Sequence, residues 1–232
     1  MSPAPEAAVS ALPIRDAATI ILVRRSGVVP QVLMGQRGNA AVFMPDKFVF
    51  PGGAVDAADF ALAGDVPADA ETRARLAVDA PPDLVDALPR AAVRELWEET
   101  GLMLGRPDAG AATREVPAVW RGFFDEGLVP NGAALRLVFR AITPPGRPRR
   151  FDARFFIAEA SAVAGRDDDF GKAGDELRHL QWLDLAAARE LPLPFITEVV
   201  LGEVEALLEP GAPDRPVPFF HQTPTGPRFR AL

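Results

Sequence analysis

Residues 50–53 read FPGG and residues 90–102 read RAAVRELWEETGL. The first stretch closes a short apolar strand, Phe48-Val49-Phe50, with a proline and two glycines that force a turn. The second is a helix. Pro89 suits its first turn and Gly101 supplies a left-handed stop, which predicts a helix over Pro89–Thr100. At roughly 100° per residue, Glu95, Glu98 and Glu99 fall within one arc of about 100°. Val93, Leu96, Trp97 and Thr100 take the opposite face, so one side packs and the other presents three carboxylates. Like charges at three- and four-residue spacing repel and call for a counterion. With neither cysteine nor histidine nearby, an oxygen-only set selects a hard cation such as Mg²⁺ or Mn²⁺. Taken alone, the same pattern also fits an ordinary solvated acidic helix. Arg94, four residues before Glu98, is placed to orient a carboxylate.

Outward from this pair, strands are expected at Ala18–Arg24, Gln31–Gln36, Phe48–Phe50, Arg136–Ile142, Phe151–Ala158 and Leu177–Leu183. A short helical segment is expected over Pro117–Glu126 and an amphipathic helix over Pro194–Leu208. Strands and helices intermix, so the class is α/β or α+β. Residues 1–12 are Ala- and Pro-rich and are expected to be a flexible N-terminus; 13–210 form one domain; 211–232 read as an extended or irregular Pro-rich tail. Residues 60–88 show weak helical periodicity and are expected to protrude as an inserted helical and loop lobe. Its few apolar positions, among them Leu76, Leu84, Val85 and Leu88, should pack on the main domain or on a second subunit.

The chain has 232 residues, enough for a sizeable core, and a net charge of −7 that does not draw nucleic acid polymers. The absence of cysteine excludes disulfides, cysteine zinc sites and thiol nucleophiles. No apolar run approaches the ~20 residues of a membrane span, and no secretory pattern opens the chain, so a cytoplasmic location is the expectation. Of 25 basic residues 23 are arginine, so any phosphate clamp would be built from guanidinium groups, which suit bidentate recognition. A GC-rich coding bias would give the same excess.

The two opening stretches together resemble the Nudix hydrolase signature, G-x5-E-x7-R-E-U-x-E-E-x-G-U with U aliphatic. Arg94, Glu95, Leu96, Glu98, Glu99, Gly101 and Leu102 match its second half without exception. Gly53 matches the start, and six residues on stands Asp59 in place of glutamate. From Asp59 to Arg94 is 35 positions where the signature has 8, so 27 residues are inserted. Loop closure entropy grows only slowly with length, which makes such an insertion tolerable. The interruption, FVFPGGAVDAAD and the later ITPPGRPRRFDARFF resemble the branch of the family that contains the mammalian peroxisomal coenzyme A diphosphatase. Arg37 stands 13 residues before Phe50, as in the L-L-T-x-R-[SA]-x3-R-x3-G-x3-F-P-G-G pattern of coenzyme A diphosphatases; Val42 and Asp46 break that pattern.

The resemblance implies a Nudix α/β/α sandwich with a mixed sheet, and metal-dependent hydrolysis of a small-molecule nucleotide diphosphate. Glu95, Glu98, Glu99 and the Gly52 carbonyl would hold Mg²⁺ or Mn²⁺, with Arg94 orienting the carboxylates. Glu176, at the end of the loop 165–176, is a candidate general base or else a surface acid. Arg37, Gly53, Arg149, Arg150 and Arg154 are the candidate substrate contacts, and the arginines around 147–154 equally fit a solvated loop. Coenzyme A or acyl-coenzyme A is the first substrate expected, with ADP-ribose or NADH as the alternative. A third reading is a ligand-binding module that has lost catalysis. Family members are often dimers, so a homodimer stays open.

Overall fold

The computed structural model describes residues 13–38, 44–64, 67–213, 215–223 and 226–232. The expectation for residues 1–12 and the mismatch at Val42 lie outside them. Eleven strands are described: β1 (Ile14–Arg24), β2 (Gln31–Arg37), β3 (Phe48–Val49), β4 (Gly52–Ala54), β5 (Gly105–Pro107), β6 (Leu128–Pro130), β7 (Arg136–Ile142), β8 (Arg150–Glu159), β9 (Leu177–Asp184), β10 (Pro218–Thr223) and β11 (Gly226–Ala231). The α-helices are α1 (Ala57–Ala61), α2 (Ala70–Leu76), α3 (Pro82–Thr100), α4 (Arg121–Asp125), α5 (Leu185–Arg189) and α6 (Phe195–Leu208).

The main sheet runs β11-β10-β7-β8-β1-β2-β3, with β4 on β1 and β9 on β2. It is mixed: β1 lies parallel to β8 and antiparallel to β2 and β4. Ile20, Ile21, Leu22 and Val23 are all fully buried, because β1 is covered on both faces and alternation with polar residues would bury the polar ones. Ala18, Ile20 and Leu22 face a core shared with α3, while Ile21 and Val23 face one shared with α5 and α6. This is the expected α/β/α sandwich.

Three expectations need correction. The helix carrying the carboxylates begins at Pro82, not Pro89. Pro81 is its N-cap and Pro82 opens its first turn, where a missing N–H costs nothing, whereas Pro89 sits buried inside the helix. The lost hydrogen bond there is offset by packing, since Leu84, Val85, Leu88 and Ala91 are buried around it. Second, the insertion does not stand apart from the domain: its apolar positions pack on the main domain, the first of the two expected alternatives. Leu62, Leu76, Leu84 and Leu88 join the core on the α3 face. Third, Pro218–Thr223 and Gly226–Ala231 are not an irregular tail but a pair of strands that extends the sheet, β10 pairing parallel with β7. The Arg140 guanidinium lies 4.3 Å from the centre of the Phe219 ring and so fastens that pair to β7.

Because Leu76 is 1% exposed, Leu76→Ala should lower the unfolding free energy by about 2–5 kcal/mol in urea titration. A change below about 0.5 kcal/mol, the range of surface substitutions, would place α2 outside the core.

Candidate active site

Arg94 organises the site. Its side chain is 6% exposed, and each of its five N–H groups has an acceptor. Nε and Nη2 donate to the two Asp59 carboxylate oxygens at 2.9 and 3.0 Å. Nη1 donates to Glu95 at 2.9 Å and to Glu98 at 2.8 Å, and Nη2 also donates to the Ala54 carbonyl at 3.0 Å. Burial pushes the Arg94 pKa down, but the hydrogen bonds and charges of Asp59, Glu95 and Glu98 override it and hold it above the ordinary value. The guanidinium therefore stays charged.

The departure at Asp59 is answered by placement. Asp59 is fully buried and belongs to α1, the short helix that opens the insertion. It caps α1 by accepting the Asp56 N–H at 2.8 Å and meets Arg94 with both oxygens. The spacing from Gly53 flagged this position; its ion pair with Arg94 spans the inserted residues and was not assigned from sequence.

The glycine turn closes on the same helix. The Gly52 N–H donates to Glu99 at 2.7 Å. A Cβ on Gly53 would stand about 2.5 Å from the Glu95 carboxylate, so the backbone approaches closely only because no side chain intervenes. Burial pushes the Glu95 carboxyl up to about 7, with Arg94 opposing and Glu98 and Glu176 adding to the rise. Burial likewise pushes Glu99 well above the usual carboxylate range, helped by the Glu95 and Glu176 charges. Glu98 is more open, its side chain 35% exposed.

Glu176 arrives from the opposite direction, at the start of β9. It accepts from Arg37 at 2.9 Å. Its loop is tied to the helix by the Gly174 N–H, which donates to the Glu98 carbonyl at 2.8 Å, and to β1 by Arg24, which grips both Asp167 oxygens at 2.8 and 2.9 Å. Glu176, Arg37, Gly52, Gly53 and Arg149 line one cavity of about 240 Å³. The other two predicted arginines turn elsewhere. Arg154 is 1% exposed and engaged by Asp16 and Asp152, and Arg150 donates through Nε to the Thr143 carbonyl at 3.0 Å. Arg154 is thus a buried cation held by two aspartates, outside the cavity lining. Arg15, also in the cavity, had no motif to mark it.

Among the described residues, no three carboxylate or imidazole groups already converge at metal-holding spacing. Arg94 engages an oxygen of Glu95 and one of Glu98. The donor chemistry nevertheless fits a hard divalent cation: the acids offer only oxygen, and burial raises the cost of charging both Glu95 and Glu99.

No family model matches the chain. Nudix hydrolase 7 of Caenorhabditis elegans is 32% identical across 62% of this chain and 43% of its own length. The acyl-coenzyme A diphosphatase NUDT19 of Gallus gallus is 32% identical across 55% of this chain and 47% of its own length. The chain thus spans less than half the length of these two curated relatives. The crystal structure of a Nudix hydrolase from Alicyclobacillus acidocaldarius superposes with a TM-score of 0.58 at 27% identity, covering 82% of this chain and 90% of that one. The Arg94-centred helix, the glycine turn folded onto it and these likenesses agree: the chain is similar to Nudix hydrolases, among them an acyl-coenzyme A diphosphatase.

Proposed function

We propose that this chain hydrolyses the diphosphate of coenzyme A or an acyl-coenzyme A in a divalent-metal-dependent reaction. The observation that carries the reading is the buried pair Glu95 and Glu99, set behind the glycine turn and beside Glu98, with the Glu95 charge adding to the cost of charging Glu99. A fold that needed only to bind a ligand has no use for that arrangement. The resemblance to acyl-coenzyme A diphosphatase supports the substrate.

In this reading Glu95, Glu98, Glu99 and the Gly52 carbonyl would hold Mg²⁺ or Mn²⁺. The cation, when bound, polarises phosphoryl oxygens and lowers the pKa of water. Arg94 fixes the carboxylates by holding one oxygen of Glu95 and one of Glu98. Arg37 steadies Glu176 at Oε1, which leaves Oε2 to take the proton of an attacking water. The Gly53 backbone lets a diphosphate approach the helix, and Arg37 and Arg149 supply positive charge along the cavity.

Glu98→Gln keeps size at a half-open position. It should lower kcat on coenzyme A by roughly two orders of magnitude or more, about 2.7 kcal/mol of barrier. Turnover near wild type in Mg²⁺ would end the assignment. A panel of coenzyme A, ADP-ribose and NADH with either metal, resolved by product chromatography, tests the substrate. A tenfold preference for ADP-ribose or NADH would replace coenzyme A.

The raised acids also set a pH dependence. An acid whose folded pKa exceeds its unfolded value keeps its proton in the folded chain after the unfolded chain has lost it. Stability from Glu95 is therefore greatest below its ordinary value of 4.5 and falls as pH climbs through about 7. The melting temperature of metal-free protein should contain a component that declines between pH 5 and 8. Saturating Mg²⁺ or Mn²⁺ should raise it more at pH 8 than at pH 5, because ligands must be deprotonated. A melting temperature indifferent to both cations at pH 8 would contradict the metal site.

A further inference from the structure

The cavity beside the glycine turn has two electrically different ends. Alternation along β1 puts Arg15, Ala17 and Thr19 on one face, and Phe151, Ala153 and Phe155 of β8 line the same cavity. Register fixes their spacing. Thr19 pairs with Gly52 at the reaction end, and Arg15 pairs with Phe151 at the other. Four residues of strand separate the two rows, about 13 Å at ~3.3 Å per residue. Arg149, two residues before Phe151, is at that far end too. Gly52 and Arg15 thus belong to different rows of the cavity wall.

The charge at the two ends is balanced differently. At the reaction end Arg37 is paired with Glu176, which is the only acid lining the cavity among the described residues. At the far end Arg15 and Arg149 have no hydrogen-bond or ion-pair partner among the described residues, and no acid from β1, β8 or the start of α6 faces them in the cavity. Most arginines of this protein are held by a carboxylate or a carbonyl, including the neighbours Arg150 and Arg154. Two unpaired guanidinium groups, one on β1 and one just before β8, form a site for a doubly charged anion, and their donors suit phosphate oxygens. Along the cavity Phe50 and Phe155 stand near the glycine turn, Ala17 and Ala153 midway and Phe151 at the far end, an apolar stretch that suits the flat base or ribose of a nucleotide.

We propose that Arg15 and Arg149 form a second anion subsite, which takes a phosphate monoester on the ribose of the nucleotide while the diphosphate lies at the glycine turn. This deepens the reading of the chain as a coenzyme A diphosphatase and rests on it for the reaction. The subsite makes the two arginines specificity determinants. They select 3′-phosphorylated nucleotides over the same nucleotides without that phosphate, through binding and not through the chemical step.

The test combines binding and turnover, with wild type and the double variant Arg15→Ala/Arg149→Ala. Both arginines are solvent-exposed, so their truncation leaves the core intact. Calorimetry with adenosine 3′,5′-bisphosphate, adenosine 2′,5′-bisphosphate and AMP needs no hydrolysis. The wild type should bind the 3′,5′-bisphosphate at least tenfold more tightly than AMP, and the double variant should lose that preference. In turnover, the ratio of kcat/KM for coenzyme A to that for 3′-dephospho-coenzyme A should fall at least tenfold in the double variant, through KM. Equal binding of the 3′,5′-bisphosphate and AMP to wild type, or a preference kept by the double variant, overturns the subsite. Tighter binding of the 2′,5′ isomer overturns the 3′-phosphate as its occupant. A wild type that prefers the 3′,5′-bisphosphate but cleaves neither coenzyme A form refutes the reaction reading and supports the anion subsite.

Discussion

One guanidinium ties together three parts of the chain. Arg94 joins α1 through Asp59, the glycine turn through the Ala54 carbonyl, and its own helix through Glu95 and Glu98. Taking charges out of water is costly, and the cost is recovered only where every donor finds an acceptor of good geometry. Here all five donors do. Loss of one partner would leave a buried charge uncompensated, so the cluster acts as a unit. It also explains how the insertion is accommodated: α1 starts it beside the glycine turn and α3 ends it beside Arg94, so the residues between form a closed excursion whose apolar side chains fill the core.

The same cluster keeps an unfavourable arrangement in place. Glu95 and Glu99 are both buried at a cost to their charged forms, with Arg94 relieving Glu95 and the Gly52 N–H relieving Glu99. Such strain is what a fold tolerates where a ligand will later compensate it. The loop that brings Glu176 shares this rigidity. It is bonded to the Glu98 carbonyl at Gly174 and clamped to β1 through Asp167, and the Arg24 guanidinium that grips Asp167 also lies 4.1 Å from the Trp182 ring centre. The fourth carboxylate is thus presented from a fixed loop and not from a free one.

The two faces of the sheet divide the labour. On one, α3 and the insertion supply the acids and a large core. On the other, α6 leaves a cavity open over the ends of β1 and β8, where cationic side chains stand. The cationic cavity and the acidic centre are therefore built from different elements, joined at the glycine turn, and one can vary while the other is retained.

The sequence by itself determined the helix with its three carboxylates, the glycine turn, the strands of the sandwich and the family resemblance. These are local matters: helical and strand periods, turn residues and a motif of fixed spacing are read within a few residues. It did not determine where the helix begins, because Pro82 and Pro89 are both compatible with a first turn and only packing decides between them. Nor did it reveal β10 and β11, whose stability comes from pairing with β7 and from Arg140 over Phe219, far apart in the chain. Among the arginines, composition treats all 23 alike; only the tertiary structure separates Arg94 and Arg154, locked in buried ion pairs, from Arg15 and Arg149, left facing a cavity. A side chain's charge is written in the sequence, but whether that charge is already neutralised depends on neighbours that folding alone brings near.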